Sequence, residues 1–374
     1  MSWTIHTATA QEGLPEAFLT IGLLATGDDP DAIPTPEANL PARFSPDDPW
    51  FAAGNDAAAF WIEGRARLMV FLPRGLEIAG EPSCFFGFWE SAPGQGDEAR
   101  VHQALFERAR GWARARGARS MYGPIDFSTY GRYRLRLESE AGAITFPGEP
   151  YNPARYPALL TSCGFSLSQG YMTQIARTET LAPAREQRAH VLGRVEAMGY
   201  RLLPMSPDAW LSRLDELHAA IDDMFGQNFA YTPLSLEAFK RACGPSFIRK
   251  ADPDVSTLCV APDGALAGFF IVYPHYGPLV RAGAAQRVAV TDLDFHAHAP
   301  RLGARQDAIL KTVGVLPAHR RHGLMSAMVM SILERGADRY QRWFGALVRD
   351  DNPSGRFGRG ADHVRRYGLF HAPL

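Results

Sequence analysis

The pattern of apolar and polar residues along the first half of the chain predicts strands and amphipathic helices. Short apolar or aromatic runs between turn residues predict strands at 57–61, 66–72, 83–90 and 120–124. Apolar residues recur at helical spacing from Val101 to Ala113, which predicts a helix over 99–116. A second, shorter helix is predicted over 155–163. This half therefore mixes strands and helices.

The same pattern starts again after a polar stretch at 178–188 that contains proline and has the character of a linker. The second half is predicted to hold strands at 200–204, 255–260, 264–273, 308–315, 343–348 and 364–370, and helices at 208–225, 236–243 and 323–340. Both halves follow one order: strand, one or two helices, antiparallel strands, helix, strand, short helix, strand. Such repetition predicts a tandem duplication of an α/β unit with a mixed sheet, with domains at 1–178 and 179–374.

Composition and charge narrow the class of protein. The chain has 374 residues, 46% hydrophobic and 21% charged, which is typical of a globular protein with two domains of ordinary size. A formal net charge of -1 argues against nucleic acid or an anionic membrane as a partner. The start has no basic and apolar signal segment and no apolar run could span a bilayer, so we expect a cytoplasmic protein. The scattered cysteines predict no metal site.

The most informative segment is Val315–Met328, where an apolar strand runs through a basic, glycine-containing turn into an amphipathic helix. A helix start offers unpaired N–H groups and the positive end of the helix dipole, which favours an anion. Gly323 allows the backbone to approach a phosphate closely, and Arg320 and Arg321 add positive charge. The segment therefore predicts a pyrophosphate site.

Val315, Pro317, Arg320 and Gly323 resemble the signature of the GNAT superfamily, Val-x-Pro-x-x-Arg followed by Arg/Gln-x-x-Gly-x-Gly/Ala. Met325 departs from it, since the family prefers Gly or Ala there. The resemblance covers nearly all of 195–374. It implies an acyltransferase that uses acetyl-CoA or another acyl-CoA as co-substrate.

The first half resembles the same superfamily more faintly, through 86–90, 122–128, 151–156 and 164–165. Its counterpart of the basic turn, at 91–98, is acidic. The resemblance therefore implies two tandem GNAT folds, of which the first is degenerate and contributes packing or a wall of the substrate cleft.

The resemblance also implies which residues bind CoA. Backbone groups of the fourth strand of the second unit would pair with pantetheine, and N–H groups of the turn would hold the pyrophosphate. Asn352 would contact pantetheine or cap the next helix. The full set is Thr312, Val313, Val315, Arg320, Arg321, His322, Gly323, Leu324, Met325, Ser326 and Asn352.

For catalysis the resemblance implies direct attack of an amine on the thioester, with a base and an acid. Asp307 is the candidate base, with a surface carboxylate as the alternative, and Tyr367 is the candidate acid, with Tyr156 in a more regular position but in the first unit. Lys311 either faces the cleft and binds an acidic substrate group or a CoA phosphate, or is a strand-edge lysine. Further candidates for binding or accepting a proton from the amine are Asp222, Asp223, His275, His296, His298 and His319.

Three functions compete at this stage. The first is N-acylation of a small primary amine, and the second is aminoacyl transfer from a charged tRNA, which needs an extended basic surface that a net charge of -1 does not favour. The third is a catalytically inactive module that binds acyl-CoA. A homodimer is compatible with all three.

Overall fold

The computed structural model describes residues 3–26, 32–33, 37, 39–93, 96–138, 143–182, 187–281, 286–358 and 360–374. The chain divides into two compact units. Unit 1 comprises Met1–Ala143, Pro150–Gly170 and Arg366–Leu374, and unit 2 comprises Ile144–Glu149 and Tyr171–Arg365. In the described part of the chain, no helix has the length and apolar character needed to cross a membrane.

The first half of the chain contains eight described strands and five helices. In chain order they are β1 His6–Thr9, α1 Glu16–Thr26, α2 Leu40–Arg43, α3 Pro49–Ala52, β2 Asp56–Ile62, β3 Ala66–Leu72, β4 Glu77–Ile78, β5 Glu81–Ser91, α4 Glu98–Arg114, β6 Ser120–Gly123, β7 Leu135–Arg136, α5 Tyr156–Ser162 and β8 Ser166–Arg177. The predicted strands and helices are all present, with ends that differ by a few residues.

The second half continues with six strands and eight α-helices among its described residues. They are α6 Arg188–Ala197, β9 Arg201–Pro204, α7 Pro207–Leu211, α8 Leu214–Phe225, α9 Leu236–Cys243, α10 Pro245–Ile248, β10 Thr257–Val260, β11 Leu266–Pro274, α11 Gly277–Val280, α12 Phe295–His298, β12 Gln306–Val315, α13 Leu324–Arg335, β13 Tyr340–Arg349 and β14 His363–Pro373. Described 3₁₀ helices lie at Val290–Asp292, Ala299–Leu302, Pro317–His322 and Pro353–Gly358.

The predicted mixed α/β class is confirmed in each unit. The sheet of unit 1 has the strand order β1-β2-β3-β5-β6-β14, in which only β5 and β6 run parallel. Helix α4 buries Val101, Leu105 and Phe106 in the core of this unit together with Phe60 and Phe86 of the sheet. Val101 and Leu105 are among the positions whose helical spacing predicted α4.

The sheet of unit 2 has the order β8-β13-β12-β11-β10-β9, and its parallel pair is β12 and β13. Helix α13 covers one face with Ala327, Met328 and Ile332, which are fully buried. On the opposite face Trp210 packs edge-on against Phe269 of β11 at a centroid distance of 5.3 Å. The parallel pair therefore lies in the middle of the sheet with both faces covered.

The division into units differs from the predicted boundary at 178/179. The chain passes from unit 1 to unit 2 within β8, at Gly170–Tyr171, and the predicted linker at 178–188 lies after that strand, with 183–186 outside the described residues. Two segments also change sides: 144–149 belongs to unit 2 and 366–374 to unit 1. The polar stretch that predicted a domain boundary marks only the end of strand β8. The division into units depends instead on contacts between residues that are distant in sequence.

The helix predicted over 208–225 is split into α7 and α8. Ser206 caps α7, since its hydroxyl accepts the backbone N–H of Ala209 at 3.1 Å. The helix ends at Leu211 because the following Ser212 bonds back with its own hydroxyl to the carbonyl of Ala209 at 3.3 Å. The helix predicted to run to 340 ends at Arg335.

Candidate functional site

Strands β12 and β13 of unit 2 run parallel and then separate. Their pairing covers Gln306–Leu310, and its last pair joins Leu310 to Gly345. Beyond that point β12 pairs only with β11, up to Val315, and β13 pairs only with β8, up to Arg349. Residues 311–315 and 346–349 are all described, and no backbone pairing joins them. We call this opening the seam. Its two strand edges present backbone groups that a ligand with amide groups could satisfy.

A β-bulge on each strand lies at the start of the seam. On β12, Lys311 is the additional residue, because Thr312 and Leu310 oppose the consecutive residues Ile271 and Val272 of β11. On β13 the register against β8 shifts between Gly345 and Val348. Bulges bend a strand and increase its twist. The two bulges therefore account for the separation of β12 and β13 immediately after their last pair.

The predicted anion turn lies directly beyond the end of β12. A 3₁₀ helix at Pro317–His322 leads to Gly323, which has a φ of +78° and precedes the first residue of α13. No side chain caps α13, so its first N–H groups lack a capping acceptor. A Cβ atom built on Gly323 would meet no atom within 4 Å. The turn is therefore open next to the donors of the helix start, as a bound phosphate requires.

The two arginines of the turn have different surroundings. The guanidinium of Arg320 donates to the carbonyl of Val315 at 3.2 Å and to that of Met224 at 3.0 Å, so it ties the turn to β12 and to α8. Arg321 is exposed, and its guanidinium makes no hydrogen bond or ion pair to any described residue. The sequence could not distinguish them, because both are arginines in one basic run. Arg321 is the better placed to neutralise an anion.

Two histidines of the turn lie beside Tyr200. The hydroxyl of Tyr200 and Nδ1 of His319 are 2.8 Å apart, and the ring centroids of Tyr200 and His322 are 5.5 Å apart. His319, an alternative base, is thus engaged by a hydroxyl.

The remaining predicted CoA residues can contribute through the backbone. Val313 and Val315 pack against the core of unit 2, and the side chain of Leu324 is fully buried in it. Thr312, Met325 and Ser326 are half-buried. Asn352 accepts from the backbone N–H of Ser354 at 2.9 Å and from its hydroxyl at 2.8 Å, and so caps the 3₁₀ helix at Pro353–Gly358.

The candidate base Asp307 is held in an ion pair. The guanidinium of Arg342, its neighbour across β12 and β13, donates to both carboxylate oxygens at 2.9 and 2.6 Å. A bidentate pair of this kind commits both carboxylate oxygens to Arg342, although each keeps a second lone pair. Asp307 thus fits the alternative, a surface carboxylate in an ion pair, better than a free base.

The candidate acid Tyr367 lies in unit 1, and its side chain is fully buried. It stands in β14 opposite Arg136 of β7, also in unit 1. The sequence placed it in the second domain because it follows the predicted fifth strand of that domain. Tyr367 therefore belongs to unit 1 and the Gly323 turn to unit 2, and the role of Tyr367 as the acid stays a prediction.

Tyr156, the alternative acid, belongs to a buried network in unit 1. Its hydroxyl accepts the N–H of Ser91 at 2.8 Å and donates to the carboxyl of Glu90 at 3.0 Å, which lies 3.3 Å from Arg132. Burial raises the pKa of both Tyr156 and Glu90.

The start of α4 in unit 1 carries its own carboxylates. Asp97 pairs with Arg65, and Glu98 pairs with Arg155 at 3.0 Å. The arginines near the start of α4 are thus already paired with carboxylates, whereas Arg321, at the corresponding turn of unit 2, has no such pair to a described residue. Residues 94 and 95 of the predicted acidic stretch 91–98 lie outside the described residues.

The other candidates lie around unit 2. Nδ1 of His275 accepts the N–H of Gly277 at 3.1 Å, and Nε2 lies 3.2 Å from the carbonyl of Ile144. Neither nitrogen therefore has a lone pair for an amine proton, and burial lowers the pKa of His275.

The other candidates have varied surroundings. Nδ1 of His298 accepts a backbone N–H, and Asp222 accepts the hydroxyl of Tyr231. His296 and Asp223 are exposed. Lys311 is half-buried, with Nζ 3.5 Å from a Cβ built on Gly148.

Sequence reasoning missed Thr173 and Leu347. The backbone N–H of Leu347 donates to Oγ1 of Thr173 at 3.1 Å, and Leu347 has a φ of +58°. No sequence signal marks this position, because positive φ normally favours glycine or asparagine and not leucine.

Comparison with known proteins agrees with this geometry. Residues 215–357 match the model of the acetyltransferase (GNAT) family. No curated protein sequence matches the chain. Among solved structures, a tandem GNAT protein from the clavulanic acid biosynthesis pathway is 16% identical, with a TM-score of 0.52 over 100% of this chain and 98% of that one. A probable N-acyltransferase from Enterococcus faecalis is 10% identical, with a TM-score of 0.55 over 100% and 73%. A GCN5-related N-acetyltransferase from Anabaena variabilis is also 10% identical, with a TM-score of 0.51 over 98% and 72%. At such identities these likenesses show the fold.

Proposed function

We propose that this chain, of which residues 215–357 match the GNAT family model and which shares its fold with a tandem GNAT protein, transfers an acyl group from acetyl-CoA, or a related acyl-CoA, to a small primary amine. The amine would attack the thioester directly in a ternary complex, and CoA would leave as its thiol. Residues 312–326 of unit 2 would bind CoA. The acceptor is a small molecule in this proposal.

The observation that carries the proposal is the seam next to the Gly323 turn. Pantetheine is an extended chain with two amide groups, which suits the unpaired edges of β12 and β13 in the way that an added strand suits a sheet edge. The pyrophosphate of CoA would meet the first N–H groups of α13 and the charge of Arg321. One ligand would thus satisfy the backbone groups of the seam and the donors of the turn together.

Within its described residues, unit 1 shows neither an open seam nor a basic turn of this kind, which supports one CoA site per chain. Where its parallel strands end their pairing, at Phe85 and Tyr122, the N–H of Ile125 donates to the carbonyl of Phe86 at 2.7 Å. The carboxylate of Asp126 accepts the N–H of Phe88, also at 2.7 Å. These bonds bridge the opening, and at the start of α4 Arg65 and Arg155 are paired with Asp97 and Glu98, so their charge is not available to a phosphate.

Calorimetry with acetyl-CoA tests the binding step. We expect one molecule per chain, and binding weakened about tenfold in Arg321→Gln, since one charge-assisted contact to phosphate contributes on this order. Arg194→Gln is the matched control, because Arg194 is also an exposed arginine of unit 2 but lies on α6. Absence of binding at millimolar acetyl-CoA would refute the proposal. Two molecules per chain would assign a second site.

Release of CoA thiol in the presence of a panel of primary amines tests the transfer step. We expect turnover with at least one amine and none with its N-methylated tertiary analogue, which cannot yield a neutral amide. Tight binding without turnover for any amine, aminoacyl or peptide acceptor would instead identify a module that only binds acyl-CoA.

A further inference from the structure

The β13 bulge at the seam has an unusual backbone. Gly345 and Val348 pair with Gln174 and Met172 of β8, so Ala346 and Leu347 together oppose the single residue Thr173. Leu347 has a φ of +58°, in the left-handed region that a side chain with a Cβ rarely adopts. Such a conformation persists only where the surrounding structure holds it.

Thr173 supplies the contact that holds it. The side chain of Thr173 is fully buried, and its Oγ1 accepts the backbone N–H of Leu347 at 3.1 Å. A bulge leaves its additional residue without a ladder partner. The threonine hydroxyl therefore replaces the carbonyl that a regular strand would have offered to this N–H.

The open seam is not an automatic consequence of a parallel strand pair. In unit 1 the corresponding opening is bridged by the backbone bond from Ile125 to Phe86 and by the carboxylate of Asp126. In unit 2 the edge of β13 stays apart from β12 directly after the last pair, Leu310 and Gly345, and the Thr173 contact lies two residues beyond it. The side-chain acceptor thus lies where the two strands part.

We propose that Thr173 is a positioning residue, which fixes the bulged edge of β13 so that the seam is preorganised for the extended arm of an acyl-CoA. The identity of that ligand rests on the function proposed above. Without the hydroxyl, the N–H of Leu347 loses its acceptor and the edge at 346–349 becomes mobile. Ligand binding must then order that edge, which weakens affinity.

The test compares Thr173→Val, which keeps the shape and removes the acceptor, with Thr173→Ser, which keeps the acceptor. We expect Thr173→Val to raise the Kd for acetyl-CoA and the KM for acyl-CoA about tenfold, with kcat changed less than threefold, because preorganisation affects binding. Thr173→Ser should stay within about threefold of wild type on the same grounds. A Thr173→Val protein with a lower Tm and unchanged Kd and KM would show a merely structural role and overturn the proposal.

A second pair of variants approaches the bulge from the other strand and avoids the buried site. Leu347 is half-buried, so its variants are expected to fold. Leu347→Val disfavours positive φ and should weaken acetyl-CoA binding as Thr173→Val does, whereas Leu347→Gly adopts this φ without strain and should bind as wild type does. Unchanged affinity in Leu347→Val would overturn the proposal.

Amide hydrogen exchange of the ligand-free protein separates this proposal from the proposed function. We expect faster exchange at 346–349 in Thr173→Val and Leu347→Val, and wild-type exchange in Thr173→Ser. If the wild type binds no acetyl-CoA but these exchange differences appear, the proposed function fails and the role of Thr173 in holding the edge stands. If exchange is equal in all variants, the role of Thr173 is refuted whatever the ligand.

Discussion

Leu310 of β12 and Gly345 of β13 form the last pair of the parallel ladder in unit 2, and a bulge follows each of them. Up to this pair, β12 and β13 are joined by backbone hydrogen bonds, and beyond it their facing edges are unpaired. On the β12 side the chain then reaches the Gly323 turn and the start of α13. A backbone-lined seam and the predicted anion turn therefore follow one another along the chain.

Gly323→Ala tests the turn. Gly323 has a φ of +78°, so a Cβ there should cost about 1 kcal/mol of stability and would occupy the open space beside the helix start. Gly264→Ala is the control, because Gly264 has a φ of +90° and is equally free of neighbouring atoms. We expect similar losses in Tm for both variants but weaker acetyl-CoA binding, by calorimetry, only for Gly323→Ala. Equal affinity in the two would place the pyrophosphate elsewhere.

Asp307→Asn tests the former base candidate. Since Arg342 occupies both carboxylate oxygens, we expect kcat to fall less than about threefold, whereas loss of a general base costs about a hundredfold or more. The half-exposed ion pair should contribute no more than about 1 kcal/mol to stability. Steady-state kinetics across pH with saturating amine provide the measurement. A hundredfold fall in kcat would restore Asp307 as the base.

His102 predicts an acid-sensitive stability in unit 1. Nδ1 of His102 accepts the indole N–H of Trp89 at 3.1 Å, Nε2 is buried without a partner in the described structure, and burial lowers the pKa of His102 to about 4. An unfolded histidine has a pKa of about 6.5. The free energy of unfolding that depends on a neutral His102 is therefore fully present above about pH 6.5 and is lost as the pH falls to about 4. This loss is at most about 3 kcal/mol.

Urea unfolding of wild type and His102→Asn at several pH values checks this prediction. Asparagine can still accept from Trp89 but does not titrate, so the difference between the two proteins should shrink as the pH falls from 7 toward 4. His190→Asn, at an exposed position on α6, should show no such trend. A difference that stays constant with pH would contradict the assignment.

Asp252 predicts a large stability effect in unit 2. Its fully buried carboxylate pairs with Arg339 and accepts the hydroxyl of Tyr340 at 2.7 Å and the backbone N–H groups of Asp254 and Val255. Asp252→Asn leaves these donors facing an amide and should cost about 3 kcal/mol by denaturant unfolding. Asp254→Asn, whose carboxylate is mostly exposed and 3.8 Å from Arg339, should change stability by less than about 0.5 kcal/mol. Equal effects would contradict the burial argument.

The sequence by itself determined the elements and the turn. The spacing of Val101, Leu105 and Ala109 predicted α4, and the strand, Gly323 and the following helix predicted the anion turn. These features are local, since periodicity and a glycine at positive φ act through neighbouring residues. Strand β8 was missed because its first five residues, Ser166–Gly170, are exposed or half-buried and mostly polar, so they form no apolar run.

Only the tertiary structure decided how the site is composed. Asp307 and Tyr367 were chosen by their order along the chain, but long-range pairing ties Asp307 to Arg342 and places Tyr367 in unit 1. The seam likewise depends on a register between β13 and β8, which brings Thr173 to Leu347 across the sheet. Register and ion pairing join residues that are distant in sequence, so no local pattern encodes them, whereas the glycine turn is encoded by its own few residues.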